Sequence, residues 1–421
     1  MKLNGQVTDS LNFYQGHDPH ELIRTYGSPL YVYNERIFRK NCRDLKQMCP
    51  YPNFEVNYSI KANSNLTLLR IALEEGLHAD ATSPGEIAVL EAAGYSANQI
   101  FFIPNNVSAE EMQYAVERGI LVSIESLSQL ETYGRVNPRG RVALRFNPGV
   151  GSGHHKNVVT GGKNTKFGIN EEYIPEVKKI VATHKLQVVG INQHIGSAIL
   201  DVNIFMASVE RVLEIAKNFD ELEFIDLGGG FGIPYKKQQG EEPLDLKTLG
   251  QALAQFMEKF SQAYRKDGKK LTFMVEPGRY IPAESGILLG SVYATKNNGN
   301  EKYIGTDLGF AVLMRPVLYD AYHEIEIYCN DDSTTPRNPE TVHIVGNICE
   351  TGDYIAKERL LPQIQEGDIL GVLDAGAYGY SMSSQYNHRL RPAEVLIRED
   401  GTPQLIRRRD TIEDLLRNMQ L

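Results

Sequence analysis

Eight short apolar, β-branched runs recur from residue 56 onward, alternating with stretches of helical spacing. They are VNYSIKA (56–62), LHADATS (77–83), IFFIPNN (100–106), LVSIES (121–126), RVALRFNP (141–148), VVGINQHIG (188–196), FIDLGGG (224–230) and TFMVEPG (272–278). Such alternation marks βα units, because parallel strands can be joined only by a crossover long enough to hold a helix. Between them, LTLLRIALEEG, GEIAVLEAAG, AEEMQYAVERG and VNIFMASVERVLEIAKNF place apolar residues three and four apart and often stop at Gly, as outer helices do. Eight units over about 225 residues have the size and period of a (β/α)8 barrel. A doubly wound open sheet is the competing arrangement, but it more commonly ends at five or six strands.

A chain of 421 residues exceeds what one core usually sustains, so a second domain is expected. After about residue 284 helical spacing fades, and ILLGSVYATK, TVHIVGNI, ILGVLD and AEVLIRE stand between Gly, Pro and Asn turns. The sequence therefore predicts an α/β plus all-β chain: a TIM-type (β/α)8 barrel over 36–283, and a C-terminal β-barrel or sandwich domain over 284–421. The first 35 residues, with the strand-like PLYVYN (29–34), are assigned to this second domain. CNDDSTTPRNP (329–339) reads as a surface excursion with nothing apolar to bury.

A net charge of -9 without a long basic run argues against a nucleic-acid partner, which needs clustered Lys and Arg. The short run Arg407–Arg409 reads as a solvated face. Cysteines at 42, 49, 329 and 349 fit no metal-ligand spacing, so no metal is expected, and so few suggest reduced thiols in the cytoplasm. MKLNGQVTDSLNFYQG lacks the pattern of a signal peptide, and no 18-residue apolar run calls for a membrane. The expected partner is a small molecule.

In a barrel the site lies at the carboxyl ends of the strands. The polar residues there are Lys61, Asp80, Asn105, Glu125, Asn147, His194, Gly228 to Gly230, and Glu276 with Arg279. The glycines of DLGGGFG (226–232) either expose N–H groups to a phosphate or serve only a tight turn. EPGR (276–279) is either a structural ion pair or a phosphate-binding Arg279 beside a Glu276 that holds a proton on a heteroaromatic nitrogen. His194 is either a core histidine or a ring lying against a planar cofactor. Cys349 in CETGD is either packing or a proton donor. A lysine, a phosphate cradle, a carboxylate for a ring nitrogen and a histidine for a ring face together describe a pyridoxal 5'-phosphate site. Lys61 is then the amine that holds the aldehyde, made nucleophilic by desolvation.

SIKAN, ADATSPGE, QHIGS, DLGGGFGIPY, EPGRYIPAESG, RPVLYDAYH, CETGDYIAKERLLP and DAGAYGYSMSSQYNHRLRPAEVLI are similar to motifs of the diaminopimelate decarboxylase family, of alanine-racemase-like fold. The resemblance spans nearly the whole chain. It implies pyridoxal 5'-phosphate as cofactor and decarboxylation of meso-2,6-diaminopimelate to L-lysine, the last step of lysine biosynthesis. It gives Lys61, His194 and Cys349 the catalytic roles, with Cys349 as the acid that protonates the carbanion. Around the cofactor it places Asp80, Ser197, Gly229, Gly230, Glu276, Gly278, Arg279 and Tyr378. Around the substrate it places Arg279, Arg315, Tyr319, Glu350 and Tyr378. It further implies a homodimer in which Cys349 and Glu350 reach the neighbouring subunit's site. Asn192 stands where a histidine is frequent, Ala198 where a glutamine is, and DLGFAV (307–312) replaces a segment usually like DAGMND. The alternatives are a same-fold decarboxylase of D-ornithine, D-lysine or carboxynorspermidine, a racemase, or a non-catalytic pyridoxal-phosphate-binding protein. The glycine-rich 152–166 reads as a lid over the barrel mouth.

Overall fold

Each of the eight runs forms a strand, and hydrogen bonding closes the strands in chain order into a parallel barrel. The strands are Phe54–Ser59, His78–Ala81, Ile100–Phe102, Leu121–Ile124, Arg141–Arg145, Gln187–Asn192, Phe224–Gly229 and Thr272–Glu276. The eighth returns to the first through pairs such as Phe273 with Phe54 and Val275 with Val56. The computed structural model describes residues 6–149, 152–153, 165–265, 271–330 and 337–420. Most of the glycine-rich 152–166, expected to be a lid, and the centre of CNDDSTTPRNP lie outside the described residues.

The helices between the strands start and stop on local chemistry. Pro84–Ala93 begins with Ser83 accepting the Glu86 N–H and Pro84 in its first turn, and ends at Gly94 with φ 105°, a left-handed cap that glycine adopts without strain. Ala109–Glu117 opens with a reciprocal box between Ser108 and Glu111. Val202–Ala216 presents Phe205, Val209, Val212 and Leu213 inward from a cap on Asp201.

Inside the barrel the lower layer is apolar: Phe101, Ala143, Val189 and Phe224 form one cluster, with Leu121 and Met274 packed against it. The rings of Phe101 and Phe224 meet edge to face at 5.5 Å. A Cβ at Gly190 would stand 2.0 Å from the Phe224 ring, so only glycine admits that plug. Burying each such side chain contributes about 1.5–3 kcal/mol. It also fills the amino end of the barrel, leaving the polar layer at the carboxyl ends.

The described residues form two compact units, Arg39–Pro234 with Glu242–Ile281, and Met1–Phe38 with Tyr235–Glu241 and Pro282–Leu421. The second carries a nine-stranded mixed sheet. Its long strand Gly286–Asn298 pairs antiparallel with Leu30–Asn34, Ile369–Val372 and Glu301–Thr306, and Leu30–Asn34 runs parallel to Ala393–Ile397. Leu30, Val32, Ile287, Leu289, Val395 and Ile397 build its core with Phe13 and Leu22. Within the span 36–283, Tyr235–Glu241 groups with the sheet unit. Within that unit Lys237 pairs with Glu284 at 2.8 Å and Asp374 at 2.9 Å.

Candidate active site

The first barrel strand ends at Ser59, and Ile60–Ala62 turns tightly at its carboxyl end. Ile60 and Ala62 are fully buried while Lys61 between them is exposed, so the turn projects the amine with its flanks anchored. The desolvation expected to activate Lys61 is thus not met. The residue lies past the buried layer, within electrostatic reach of Asp80 and Glu276.

Ser59 Oγ lies within hydrogen-bond reach of the Asp80 carboxylate and of Glu276 O, at 3.2 Å, and its N–H donates to Pro277 O at 3.1 Å. Strands one, two and eight are thereby knotted around a buried acidic layer. Burial first, then the neighbouring Glu276 charge, pushes Asp80 up to about 7, against the opposing pull of Lys61 and Ser59. Glu276 is raised well above the carboxylate range by burial and then by Asp226. Burial also raises Asp226, whose Oδ1 accepts the Gly228 N–H at 2.8 Å. Glu276 Oε1 and Asp226 Oδ2 find no N–H or O–H donor among the described residues, so these two carboxyls can bond each other only by sharing a proton.

A raised carboxyl pKa stabilises the fold below the unfolded value, and that stability is lost as pH rises through the folded value. Each unit of such a shift corresponds to about 1.4 kcal/mol. For Asp80 the window runs from its ordinary value of 3.8 to about 7. In cofactor-free protein, Asp80→Asn should therefore gain stability relative to the parent as pH rises from about 5 to 8. Parallel melting curves for the two proteins across that range would show no buried strained acid at position 80.

His194 is half-buried, and its Nδ1 accepts the Gly229 N–H at 3.3 Å, which leaves the ring proton on Nε2. Burial, then Lys61 and Arg145, holds its pKa well below the ordinary value, so the ring is neutral. Arg279 is buried with its Nη2 donating to Ser197 Oγ at 2.9 Å. Backbone approach by itself requires glycine at all three positions: a Cβ at Gly228 would stand 2.2 Å from Gln193 O, one at Gly229 1.8 Å from Glu276 O, and one at Gly230 2.8 Å from Gly196 O. The turn requirement thus suffices for them, and the Gly229 N–H of the expected cradle is directed at His194.

Two members of this layer escaped the sequence reading. Arg145 ends the fifth strand, pairs with Glu125 at 3.5 Å and stacks on Phe167 at 4.8 Å. A lone cation at the end of an apolar strand was its signal. Asp226 was read only as the residue before a glycine turn. Asn147, by contrast, serves its loop by accepting the Gly149 N–H. Asn192 is wholly buried and accepts from Ser123 Oγ at 2.6 Å, and Ala198 holds φ 62°, a conformation costly for a residue with a Cβ.

The sheet unit holds the other expected residues. Arg315 opens the helix Arg315–Tyr319, is 1% exposed, and donates from Nη1 to His323 Nε2 at 2.6 Å. Tyr319 closes that helix half-buried. Cys349 and Glu350 are exposed on the turn between Pro339–Val345 and Tyr354–Pro362. Asp353 fixes that turn, accepting the Phe310 N–H at 2.6 Å and the Ile348 N–H at 3.2 Å. Phe310 belongs to the divergent segment 307–312, so the segment buttresses the CETGD turn. Tyr378 is half-buried with φ 54°.

Comparison with known proteins matches residues 35–283 to a family model described as the pyridoxal binding domain of pyridoxal-dependent decarboxylases. The chain is 42% identical over 415 residues to a diaminopimelate decarboxylase of Methanothermobacter thermautotrophicus, covering 96% of this chain and 95% of that one. It is 36% identical to the Escherichia coli (strain K12) protein of the same name, covering 93% of each. Among solved structures, diaminopimelate decarboxylase from Helicobacter pylori complexed with L-lysine is 31% identical with a TM-score of 0.85, over 95% of this chain and 98% of that one. An arginine decarboxylase of Paramecium bursaria Chlorella virus, 16% identical at TM-score 0.76 over 90% and 98%, shares the fold.

Proposed function

The chain belongs to the diaminopimelate decarboxylase family of pyridoxal-dependent decarboxylases, and from that premise we propose how its residues divide the conversion of meso-2,6-diaminopimelate to L-lysine and carbon dioxide. The observation that carries the assignment is the single polar rim where Lys61, Asp80, His194 and Glu276 act on one another electrostatically above an apolar plug.

That rim fits pyridoxal 5'-phosphate. The buried Glu276 Oε1, which no protein donor reaches among the described residues, suits a protonated ring nitrogen. Arg279 and Ser197, already hydrogen-bonded, suit a phosphate, with Gly230 and Gly278 of the same unit as further groups for it, and Tyr378 is the residue that the family resemblance assigns to it from the sheet unit. When bound, the cofactor supplies a conjugated ring that accepts the electron pair left by departing carbon dioxide. Lys61 Nζ is the amine that would hold the aldehyde. His194, neutral and fixed by Gly229, would support the face of the ring. Glu276 keeps a proton at the ring nitrogen, the position from which a positive charge best stabilises developing negative charge. Cys349 Sγ donates a proton to the substrate α-carbon.

Arg315 takes the substrate's distal carboxylate and Glu350 its distal ammonium, and the family resemblance assigns further substrate contacts to Arg279, Tyr319 and Tyr378. Cys349 and Glu350 stand on an exposed turn, as residues serving a neighbouring copy should, which supports a homodimer with shared sites. Cys42, Cys49 and Cys349 form no disulfide among the described residues, which supports a reading of this chain as a protein of the reducing cytoplasm. The residues proposed for the cofactor, Tyr378 apart, belong to the barrel unit, and those proposed for the substrate and proton donation, Arg279 apart, belong to the sheet unit.

A substrate panel tests the assignment. Holoenzyme should release carbon dioxide and L-lysine in equal amounts from meso-diaminopimelate. D-ornithine, D-lysine and carboxynorspermidine should react at least about 10²-fold less efficiently, because an Arg site built for a carboxylate is left unpaired without it. Preference for a substrate lacking the distal carboxylate would transfer the chain to another amine. Absence of carbon dioxide with every substrate would leave only cofactor binding.

A further inference from the structure

We infer that His323 is a positioning residue for substrate recognition: its Nε2 lone pair holds the Arg315 guanidinium in the orientation that receives the distal carboxylate. The inference rests on the substrate role proposed for Arg315. His323 is 2% exposed, and its two ring nitrogens face opposite demands. Nδ1 lies 2.7 Å from Leu373 O, and a carbonyl can only accept. Nε2 lies 2.6 Å from Arg315 Nη1, and a guanidinium can only donate. One tautomer satisfies both, the neutral ring with its proton on Nδ1.

Tyr235 completes the arrangement. Its ring lies under the guanidinium, with Arg315 Cζ 4.5 Å from the centroid, and meets the His323 ring edge to face at 5.3 Å. The tyrosine sets the plane of the guanidinium and the histidine sets its rotation within that plane. An arginine side chain has several rotatable bonds, and fixing it before substrate arrives removes an ordering cost from binding. Arg359 Nη1 in turn donates to His323 O at 2.9 Å, so the histidine's backbone is held as well.

Two amide substitutions separate the bonds of the ring. In His323→Gln the side-chain oxygen reaches the Nε2 position and can still accept from Arg315. In His323→Asn the amide reaches only the Nδ1 position, keeping the donor to Leu373 but removing the acceptor at Arg315 Nη1. The holoenzyme variants are compared for kcat and KM with meso-diaminopimelate, and for competitive inhibition by L-lysine, which retains the distal carboxylate, and by 1,5-diaminopentane, which lacks it. For His323→Asn we expect KM and the L-lysine inhibition constant to rise about tenfold or more. Its kcat should stay within about threefold and the diaminopentane constant within about twofold of the parent. His323→Gln should recover most of the loss. The proposal is overturned if His323→Asn leaves L-lysine binding unmoved, if both inhibitors weaken equally, or if His323→Gln recovers nothing. Arg315→Ala is the control: if it too leaves L-lysine binding unmoved, the substrate role of Arg315 falls and His323 with it. If Arg315→Ala weakens L-lysine and His323→Asn does not, only the histidine assignment falls.

Discussion

Lys61→Ala should abolish hydride-stable attachment of pyridoxal 5'-phosphate to the chain and lower the decarboxylation rate by about 10³-fold, within the range for removing a positioned proton-transfer group. The strand Phe54–Ser59 is buried on both faces from Val56 onward, so its direction is fixed by the barrel. Ile60 and Ala62 then anchor the chain on either side of the amine, which therefore cannot wander from the rim. Asp80 and Glu276 lie within electrostatic reach of it. Borohydride reduction of loaded protein, digestion and mass analysis should find the label on the peptide containing Lys61 and on no other lysine. Lys61→Arg should be as inactive as Lys61→Ala, since a guanidinium keeps the charge but remains protonated and cannot attack a carbonyl. A label on a different lysine, or a Lys61→Ala protein that still decarboxylates at near the parent rate, would remove the foundation of the assignment.

The barrel was legible because its signal is local and repeated. Each buried parallel strand is an apolar run bounded by turn residues, and each helix carries its own cap and period, as Ser83 to Gly94 shows. The sheet unit was harder. Glu301–Thr306, Ile325–Tyr328, Tyr354–Pro362 and Pro403–Arg407 are strands that no apolar run announced. Tyr354–Pro362 contains Lys357, Glu358 and Arg359, and its identity as a strand comes from pairing with Pro339–Val345 rather than from its own residues. Tyr235–Glu241 likewise groups with the sheet unit, where Lys237 pairs with residues distant in sequence.

The site shows the same division. Lys61, Asp80, His194 and Glu276 follow from the rule that chemistry sits at the carboxyl ends of barrel strands. Arg145 and Asp226 did not, because inside a strand a charged residue becomes informative only when its interior neighbours are known. Burial of Asp226 beside Glu276 is a property of two strands in register, Gly229 opposite Glu276, and neither segment alone carries it. His323 stood in plain view within RPVLYDAYH, yet its partner Leu373 is 50 residues away in sequence. The exposure of Lys61 ran against expectation for a related reason: a strand pattern locates the end of the buried layer only to within a residue or two.

Arg315→Ala should lower kcat/KM for meso-diaminopimelate by about 10²- to 10³-fold, or roughly 3–4 kcal/mol of transition-state stabilisation. A hydrogen bond to a charged partner contributes about 1.5–3 kcal/mol, and the remainder is the cost of leaving the distal carboxylate without its counterion away from water. Burial of the arginine at 1% exposure and its seat on Tyr235 make the site pre-formed rather than assembled by substrate. Arg315→Lys should recover only part of the loss, since an ammonium is a point charge without the planar fork that meets a carboxylate at two points. Because the truncation also removes packing against Tyr235, melting temperatures of the variants must accompany the kinetics. A folded Arg315→Ala protein whose kcat/KM stays within about twofold of the parent would assign the distal carboxylate to another residue. The specificity of the chain would then have to be sought among Tyr319, Glu350 and Tyr378.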